Sequence, residues 1–331
     1  MEQRPLGNTG LTTSAIGFGT WEMSTTMYGD IDVGDAGRAV DAAIDRGITL
    51  FDTAEVYGPF HSERLLAKAL GKRRDDVVLV TKVGFAYDGD KVTGLNSKHD
   101  YVIERTEAAL ERLETDVIDL MLIHWPDHAT PMEEPITALE QLREAGKIQA
   151  YGVSNFNVEM MEATKSHGMI AANQVGYHLF DRRMEAEVLP WCAANQVGFM
   201  AYGSLGFGLL TGAFGVDVTF ADNDWRRRGT AFGLPLFQRE SLEKEVRVAD
   251  RLKALAAEEG RSLPQMALAW VLSNPAVSVG LVGMRNETEL DENVAAAEWR
   301  LSDELRAAID QVFVDEDVPT YVDHPQELHP F

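Results

Sequence analysis

Short apolar runs alternate with longer amphipathic stretches along most of the chain. Eight runs have the length and the Val- and Ile-rich composition of buried strands: residues 15–19, 48–52, 77–83, 117–124, 148–154, 172–175, 197–202 and 277–283. The stretches between them carry apolar residues at helical spacing, as at Leu305, Ala308, Ile309 and Val312. Alternating strands and helices predict right-handed βαβ units around a parallel sheet. Eight such units predict an α/β fold, a closed (β/α)8 barrel, to which an open doubly wound sheet is the alternative.

Three segments fit neither a barrel strand nor a barrel helix. Residues 5–14 hold Gly-Asn-Thr-Gly between extended flanks, which predicts a small hairpin before the first strand. Residues 207–237 follow the seventh strand and residues 315–331 end the chain. Long segments of this kind are commonly functional loops, so we expect both to lie over the site as lids. Within the barrel, Ser97 and Asp100 predict a capped helix start, and we treat residues 1–331 as one domain.

The amino-acid composition limits the kinds of molecule that the protein can bind. The chain has 331 residues, with 30 basic against 53 acidic side chains and a net charge of −23, which repels nucleic acids and anionic membranes. Cys192 is the single cysteine, so no internal disulfide forms and a reducing compartment is indicated. The N-terminal residues have no apolar signal core, and no apolar stretch reaches membrane-spanning length. We expect a soluble, cytoplasmic protein whose partner is a small molecule, with homo-oligomerisation left open.

Polar side chains at the ends of neighbouring predicted strands suggest acid–base chemistry. Asp52, Lys82 and His124 end the second, third and fourth strands, and reactive groups of a barrel lie at such carboxyl ends. Tyr57 follows five residues after Asp52, so its hydroxyl can fold back over an Asp52–Lys82 ion pair. An ammonium stabilises phenolate, so we expect Lys82 to lower the pKa of Tyr57. A neutral His124 would share a hydrogen bond with the phenol and orient a carbonyl oxygen that gains charge.

Two other kinds of site were weighed against this one. A sugar-isomerase-like barrel would hold a metal at Asp52, His124, Asp127 and His128, but Lys82 would then place a cation beside the metal. We therefore expect no metal. Residues 152–156, GVSNF, resemble a nucleophile elbow without its second glycine, which argues against acyl transfer.

Three longer motifs carry a family resemblance. Residues 47–58 read GITLFDTAEVYG, residues 113–116 read LETD ahead of Asp119-Leu120 and His124-Trp125-Pro126, and residues 152–156 read GVSNF. With these motifs the sequence resembles the aldo-keto reductases over nearly its whole length, from the RPLG of residues 4–7 to Glu292-Asn293. The resemblance implies a TIM barrel that binds an extended nicotinamide dinucleotide without a Rossmann domain.

The resemblance also implies roles for individual residues. It assigns Tyr57 as the general acid/base, supported by Lys82, Asp52 and His124. Cofactor contacts are implied for Gly19, Thr20, Trp21, Asp52, Ser154, Asn155, Gln174, Tyr202, Gly203, Ser204, Leu205, Gly208, Gly283, Arg285, Glu289, Glu292 and Asn293. The substrate pocket is expected to include Trp21, Tyr28, Tyr57, Phe85, His124 and Trp125.

Two departures from the family pattern bear on the cofactor. Ala213 stands where many members have a basic residue, which Arg226–Arg228 of the long loop could replace. Glu289 stands where members commonly carry Gln or Arg, and a carboxylate there repels a 2′-phosphate unless it pairs with Arg285. We expect NADP(H) to be preferred and NAD(H) to be usable.

The resemblance implies an oxidoreductase that interconverts an aldehyde, ketone or sugar carbonyl with its alcohol by hydride transfer. The alternative is a cofactor-binding regulatory subunit like the potassium-channel β subunits of the same family, which keep the same four catalytic residues. We see no added docking segment in the sequence, which favours the enzyme.

Overall fold

Eight parallel strands close into a barrel, as the alternation of apolar runs predicts. The computed structural model describes residues 1–24, 27–28 and 32–324. Two antiparallel hairpins accompany the barrel, so the strands are numbered through both. The barrel strands are β3 (Ile16–Gly19), β4 (Leu50–Asp52), β5 (Val78–Val83), β8 (Ile118–Ile123), β9 (Ile148–Ser154), β10 (Ala172–Gly176), β11 (Gly198–Tyr202) and β12 (Val277–Gly283). Their bounds lie within two residues of the predicted ones, and the α/β barrel fold is confirmed.

Helices cover the outside of the barrel between successive strands. Helix α8 is apolar on all sides, as expected for a helix that is surrounded by protein. It begins with a capping box formed by Ser262 and Gln265. The helices are α1 (Val33–Asp45), α2 (His61–Leu70), α3 (His99–Arg112), α4 (Glu133–Glu144), α5 (Val158–Thr164), α6 (Val188–Ala194), α7 (Arg239–Glu258), α8 (Leu263–Leu272), α9 (Glu287–Val294) and α10 (Asp303–Asp315).

Strand order around the barrel follows the chain, and β12 closes the ring by pairing with β3. The neighbours β4, β5 and β8 therefore bring Asp52, Lys82 and His124 to one side of the same rim. Below this rim the interior is filled by apolar side chains, among them Leu50, Val80 and Leu122. The packed interior leaves the carboxyl ends of the strands as the place for a cavity.

The predicted N-terminal hairpin is present and closes the opposite end of the barrel. Strands β1 (Gln3–Pro5) and β2 (Thr12–Ser14) pair antiparallel, and Leu6 inserts into the interior cluster with no exposed surface. Gly7 follows with a positive φ of 55°, and a Cβ at that position would overlap the carbonyl oxygen of Ala171. A glycine is required there because the hairpin passes so close to the barrel wall.

A second hairpin was not predicted. Strands β6 (Phe85–Asp88) and β7 (Lys91–Leu95) pair antiparallel between β5 and α3. The Asp88-Gly89 turn is a hairpin signal that the sequence carried. The predicted Ser97 cap is wrong: α3 begins after Lys98, and the Ser97 hydroxyl has no hydrogen-bond partner among the described atoms. The backbone N–H of Ser97 instead donates to Asp127.

The long loop after β11 is irregular, as predicted, apart from short 3₁₀ turns at Gly206–Thr211 and Trp225–Arg228. The described part of the C-terminal tail, residues 316–324, contributes no residue to the wall of the large cavity described below. It runs past the loop after β10, where the carbonyl of Thr320 accepts from the backbone N–H of Arg182. Residues 325–331, which complete the predicted tail, lie outside the described residues. Within the described ranges, no helix has both the length and the apolar composition needed to cross a bilayer.

Candidate active site

The Lys82 ammonium is at the centre of the predicted catalytic group. It is fully buried and donates to the Asp52 carboxylate at 2.6 Å, to the Thr53 carbonyl at 2.8 Å and to the Tyr57 hydroxyl at 3.2 Å. The other Asp52 oxygen accepts from the Gln174 amide at 2.7 Å. Asp52 and Lys82 end neighbouring strands, and Tyr57 lies on the loop that leaves β4, so the barrel register alone brings these groups into contact.

Burial governs the protonation of this group. It raises the pKa of the Asp52 carboxyl, an effect opposed by Lys82, and it lowers the pKa of Lys82, an effect opposed by Asp52. Burial raises the pKa of Tyr57 well above its ordinary range, and the Asp52 carboxylate raises it further. The expectation that Lys82 lowers the phenol pKa is therefore wrong for this structure, because loss of solvation dominates. Tyr57 is therefore a neutral phenol that retains its proton.

His124 faces the same space as Tyr57 without touching its hydroxyl. The two rings are perpendicular with centroids 5.9 Å apart, and no hydrogen bond joins their side chains, so the expected shared bond is not formed. Burial, followed by the Lys82 charge, lowers the pKa of His124 well below its ordinary value, which agrees with the expected neutral imidazole. Its Nδ1 is buried with no partner among the described atoms. The space between the phenol and the imidazole is thus lined by two polar groups that have hydrogen-bonding capacity left for a ligand.

Four of the predicted cofactor residues, Ser154, Asn155, Gln174 and Tyr202, form a connected hydrogen-bonded set. Ser154 donates to the carbonyl of Gln174, and Asn155 donates both to the carbonyl of His124 and to the Ser154 hydroxyl. The Tyr202 hydroxyl donates to the Asn155 side-chain oxygen at 2.8 Å. Asn155 adopts a left-handed φ of 65°, a backbone conformation that asparagine tolerates better than most residues. Part of the hydrogen-bonding capacity of these side chains is already used inside the protein.

A cavity of about 700 Å³ extends from these residues across the rim of the barrel. Its wall contains every predicted cofactor residue except Thr20: Gly19, Trp21, Asp52, Ser154, Asn155, Gln174, Tyr202, Gly203, Ser204, Leu205, Gly208, Gly283, Arg285, Glu289, Glu292 and Asn293. Thr20 is fully buried behind the wall, where its hydroxyl donates to the carbonyl of Asp52 and accepts from Ser62. In this structure the Thr20 side chain supports the end of β4 and does not reach the cavity, where its expected cofactor contact would be made.

The far end of the cavity holds the charged residues predicted for the adenosine half. Arg285 donates from its side chain and from its backbone N–H to the Glu289 carboxylate, with a shortest distance of 2.6 Å. The cation that would meet a 2′-phosphate is therefore already paired, although both side chains keep exposed surface, 58% for Arg285 and 28% for Glu289. This is the pairing that the sequence left open.

The three arginines of the long loop have separate positions. Arg226 lines the cavity against Gly208, paired in bidentate fashion with Asp224. Arg227 pairs with Asp222 away from the cavity, and Arg228 lines the cavity. Arg226, Arg228 and Ala213 thus line the same cavity, while the Lys253 ammonium donates to the carbonyl of Gly212 beside Ala213.

Aromatic rings form the part of the cavity nearest Tyr57. Trp21 stacks on Tyr57 with ring centroids 6.0 Å apart, and Tyr28, Phe85 and Trp125 line the same wall as predicted. Sequence reasoning missed Phe232, a residue of the long loop that stacks on Trp125 and contacts the Tyr202 ring. It also missed Met27, Val56, Pro59, Asp90, Val92 and Phe207. Asp90 and Val92 come from the unpredicted hairpin, and the aromatic content of residues 207–237 was the available signal for Phe232.

A metal centre was the alternative built on the same residues. Asp52 is committed to Lys82, and Asp127 accepts from Thr130 and from the backbone of Ser97 and Ala129. In the described part of the chain, no three His, Cys, Asp or Glu side chains are grouped to hold a metal ion.

Curated relatives match the chain over most of its length. Aldo-keto reductase YhdN of Bacillus subtilis is 35% identical over 315 residues, covering 94% of this chain and 93% of the relative. A probable voltage-gated potassium channel subunit beta of Arabidopsis thaliana is 31% identical, covering 90% and 92%. The NADH-specific methylglyoxal reductase of Escherichia coli is 32% identical, covering 92% and 95%.

Solved structures are also similar to this chain over most of its length. A glycerol dehydrogenase from Gluconobacter oxydans is similar with a TM-score of 0.86 and 33% identity, over 99% of this chain and 98% of that one. An aldo/keto reductase from Klebsiella pneumoniae, in complex with NADP and acetate, has a TM-score of 0.74 and 30% identity, over 95% and 96%. The profile of the Aldo/keto reductase family matches residues 15–313. The sequence motifs, the barrel and these matches agree, and the chain belongs to the aldo/keto reductase family.

Proposed function

We propose that the protein is an NAD(P)H-dependent oxidoreductase that interconverts an aldehyde, ketone or sugar carbonyl with its alcohol, with Tyr57 as the general acid/base. The observation that carries the proposal is the Tyr57 hydroxyl 3.2 Å from a Lys82 ammonium that Asp52 holds at 2.6 Å, with Tyr57 and Asp52 in the wall of one cavity and Lys82 fully buried behind them. This arrangement positions a neutral proton donor beside a fixed positive charge. Such a donor acts where negative charge develops on a carbonyl oxygen.

The cavity suits a nicotinamide dinucleotide. Its wall reaches from Tyr57 to Asn293 and carries hydrogen-bonding side chains such as that of Asn155. It also holds a glycine-rich turn at residues 203–208, in which Gly206 and Gly208 donate to carbonyls of the turn itself, so the backbone N–H groups of residues 203–205 are the ones that suit phosphate. When bound, the nicotinamide would supply or accept the hydride. Relatives with NADP complexes and an NADH-specific relative support use of either cofactor.

The chain's own residues would then manage the proton. In the direction of reduction, Tyr57 donates its phenolic proton to the substrate oxygen as negative charge develops there. Lys82 stabilises the phenolate left behind, and Asp52 keeps Lys82 in place. Neutral His124 donates a hydrogen bond that orients the carbonyl, and the aromatic rings around Trp21 give the carbonyl apolar surroundings. In the direction of oxidation the same groups act in reverse.

The test is a substrate screen with both NADPH and NADH against aldehydes, ketones and sugars, followed in each direction. We expect steady multiple-turnover oxidation of at least one reduced cofactor, abolished in Tyr57→Phe. Failure to bind either cofactor overturns the proposal.

A regulatory subunit is the second candidate, supported by the similarity to a probable potassium channel subunit beta. Such a protein would bind cofactor and react at most once per binding event. A single-turnover signal without steady turnover, across the whole substrate panel, would favour this candidate over the enzyme.

A further inference from the structure

Glu22 is an acidic residue in the cavity that the family pattern does not use. It lies in the 3₁₀ turn Trp21–Ser24 that follows β3, and its carboxyl group rests directly on Gly283 at the end of the adjacent strand β12. A Cβ built on Gly283 would overlap this carboxyl group. No side chain among the described residues hydrogen-bonds to it or forms an ion pair with it.

Glu22 lies within reach of both ends of the cavity. Tyr57 and Tyr202 line one end and Arg285 and Asn293 line the other; Glu22 and Gly283 line the same wall, and Glu22 is close enough to interact electrostatically with both Tyr57 and Arg285. An extended nicotinamide dinucleotide that reaches both ends has its pyrophosphate in the middle. The dianionic part of the cofactor would therefore pass close to the Glu22 carboxyl group, which accepts from its own backbone N–H and has no side-chain partner among the described residues.

The two cations that face Glu22 attract its carboxylate, but each is already paired with another carboxylate and so offsets only part of this repulsion. Arg285, from the loop after β12, is paired with Glu289, and Arg226, from the long loop, is paired with Asp224. Tyr28 and Tyr57 face it as neutral phenols, because burial raises the pKa of each. With both cations already paired, an ionised Glu22 adds a like charge beside the phosphates.

We propose that Glu22 takes up a proton when the cofactor binds, so that cofactor affinity falls as the pH rises above neutrality. The inference rests on the proposed function, since it assumes a dinucleotide in the cavity. Removal from water raises the pKa of Glu22 to about 7 in the free protein. A neighbouring pyrophosphate raises it further, because a like charge disfavours the ionised form.

The size of the effect follows from linkage. Well below pH 7 the Glu22 carboxyl is largely protonated and does not repel the phosphates, so affinity is at its maximum. Above pH 7 the free protein must recover a proton to bind, and the dissociation constant rises by up to about tenfold per pH unit. Between pH 7 and 8.5 we expect the Kd of the wild-type protein to rise about tenfold.

The experiment measures Kd for NADPH and for NADH by fluorescence from pH 6.5 to 9 in the wild type, Glu22→Gln and Glu245→Gln. Glutamine keeps the shape of Glu22 without its charge, so its Kd should change less than about twofold over this range and be tighter than wild type at pH 8.5. Glu245 is the matched control, because burial raises its pKa to about 9 and it lies on α7 outside the cavity wall. Its variant should keep the wild-type profile. Either cofactor can be used for this comparison. The 2′-phosphate of NADPH titrates equally in all three proteins, so it cannot cause a difference between their pH profiles.

A second measurement needs no variant. Calorimetric titration of the wild type at pH 7.5 in phosphate and in Tris should give more than about half a proton taken up per cofactor bound. Equal pH profiles in the wild type and Glu22→Gln, or zero proton uptake, would overturn the role of Glu22 while leaving the proposed function standing. Absence of binding at every pH would instead overturn the proposed function.

Discussion

Replacing Lys82 by Met tests the centre of the proposed mechanism. Met retains most of the side-chain volume but removes the ammonium and its hydrogen bonds to Asp52, Thr53 and Tyr57. Asp52 is left 3% exposed, with the Gln174 amide as its remaining side-chain donor. The substitution therefore leaves a buried carboxylate without the opposite charge that stabilised it.

The loss of stability can be bounded from this geometry. Breaking a buried ion pair by removing one partner costs about 3–5 kcal/mol. The variant can reduce this cost by protonating Asp52, whose pKa burial already raises from 3.8 even with Lys82 present. A carboxyl with a raised folded-state pKa favours folding below its unfolded pKa, and that contribution is lost as the pH rises through the folded pKa. The deficit of the variant should therefore be smaller at pH 5 than at pH 8.

Urea unfolding followed by circular dichroism at both pH values measures this deficit, and kcat measures the loss of acid–base support. Lys147→Met is the matched control, because Lys147 pairs with Glu107 on the surface and exposed pairs contribute about 0–1 kcal/mol. We expect Lys82→Met to unfold at clearly lower urea than both the wild type and the control, with the larger gap at pH 8. If Lys82→Met and the control unfold together at pH 8, the pair contributes nothing measurable and the electrostatic reasoning fails.

Three further outcomes follow from the site. Tyr57→Phe should lower kcat by about 10²–10⁴-fold and leave cofactor Kd unchanged, since the phenol acts mainly in the transition state; more than a tenth of the wild-type rate would contradict this role. Because burial raises the pKa of Tyr57 and lowers that of His124, kcat for reduction at saturating cofactor should stay flat from about pH 6 to 9, and a break near pH 7 would refute it. Glu289→Gln should free Arg285 and shift the Kd ratio towards NADPH about fivefold, the equivalent of about 1 kcal/mol; an unmoved ratio would show that Glu289 does not face the 2′ position.

The sequence by itself determined that the chain forms a barrel and that Asp52, Tyr57, Lys82 and His124 lie together at its rim. Buried parallel strands are continuous apolar runs, so their number and bounds are written locally, and β9 and β12 begin and end at the predicted residues. A closed barrel then brings consecutive strand ends side by side, which places Asp52 next to Lys82 without further information.

Only the tertiary structure decided which way individual side chains face and which charges pair. Thr20 turns behind the cavity wall, and Glu22 crosses to Gly283, because β3 pairs with β12, about 260 residues away in sequence. The phenol of Tyr57 has a raised pKa because solvation lost on burial outweighs the nearby ammonium, a balance that depends on the packed surroundings. Periodicity records which residues are apolar, but desolvation and ion pairing depend on distances between segments that only the closed barrel brings together.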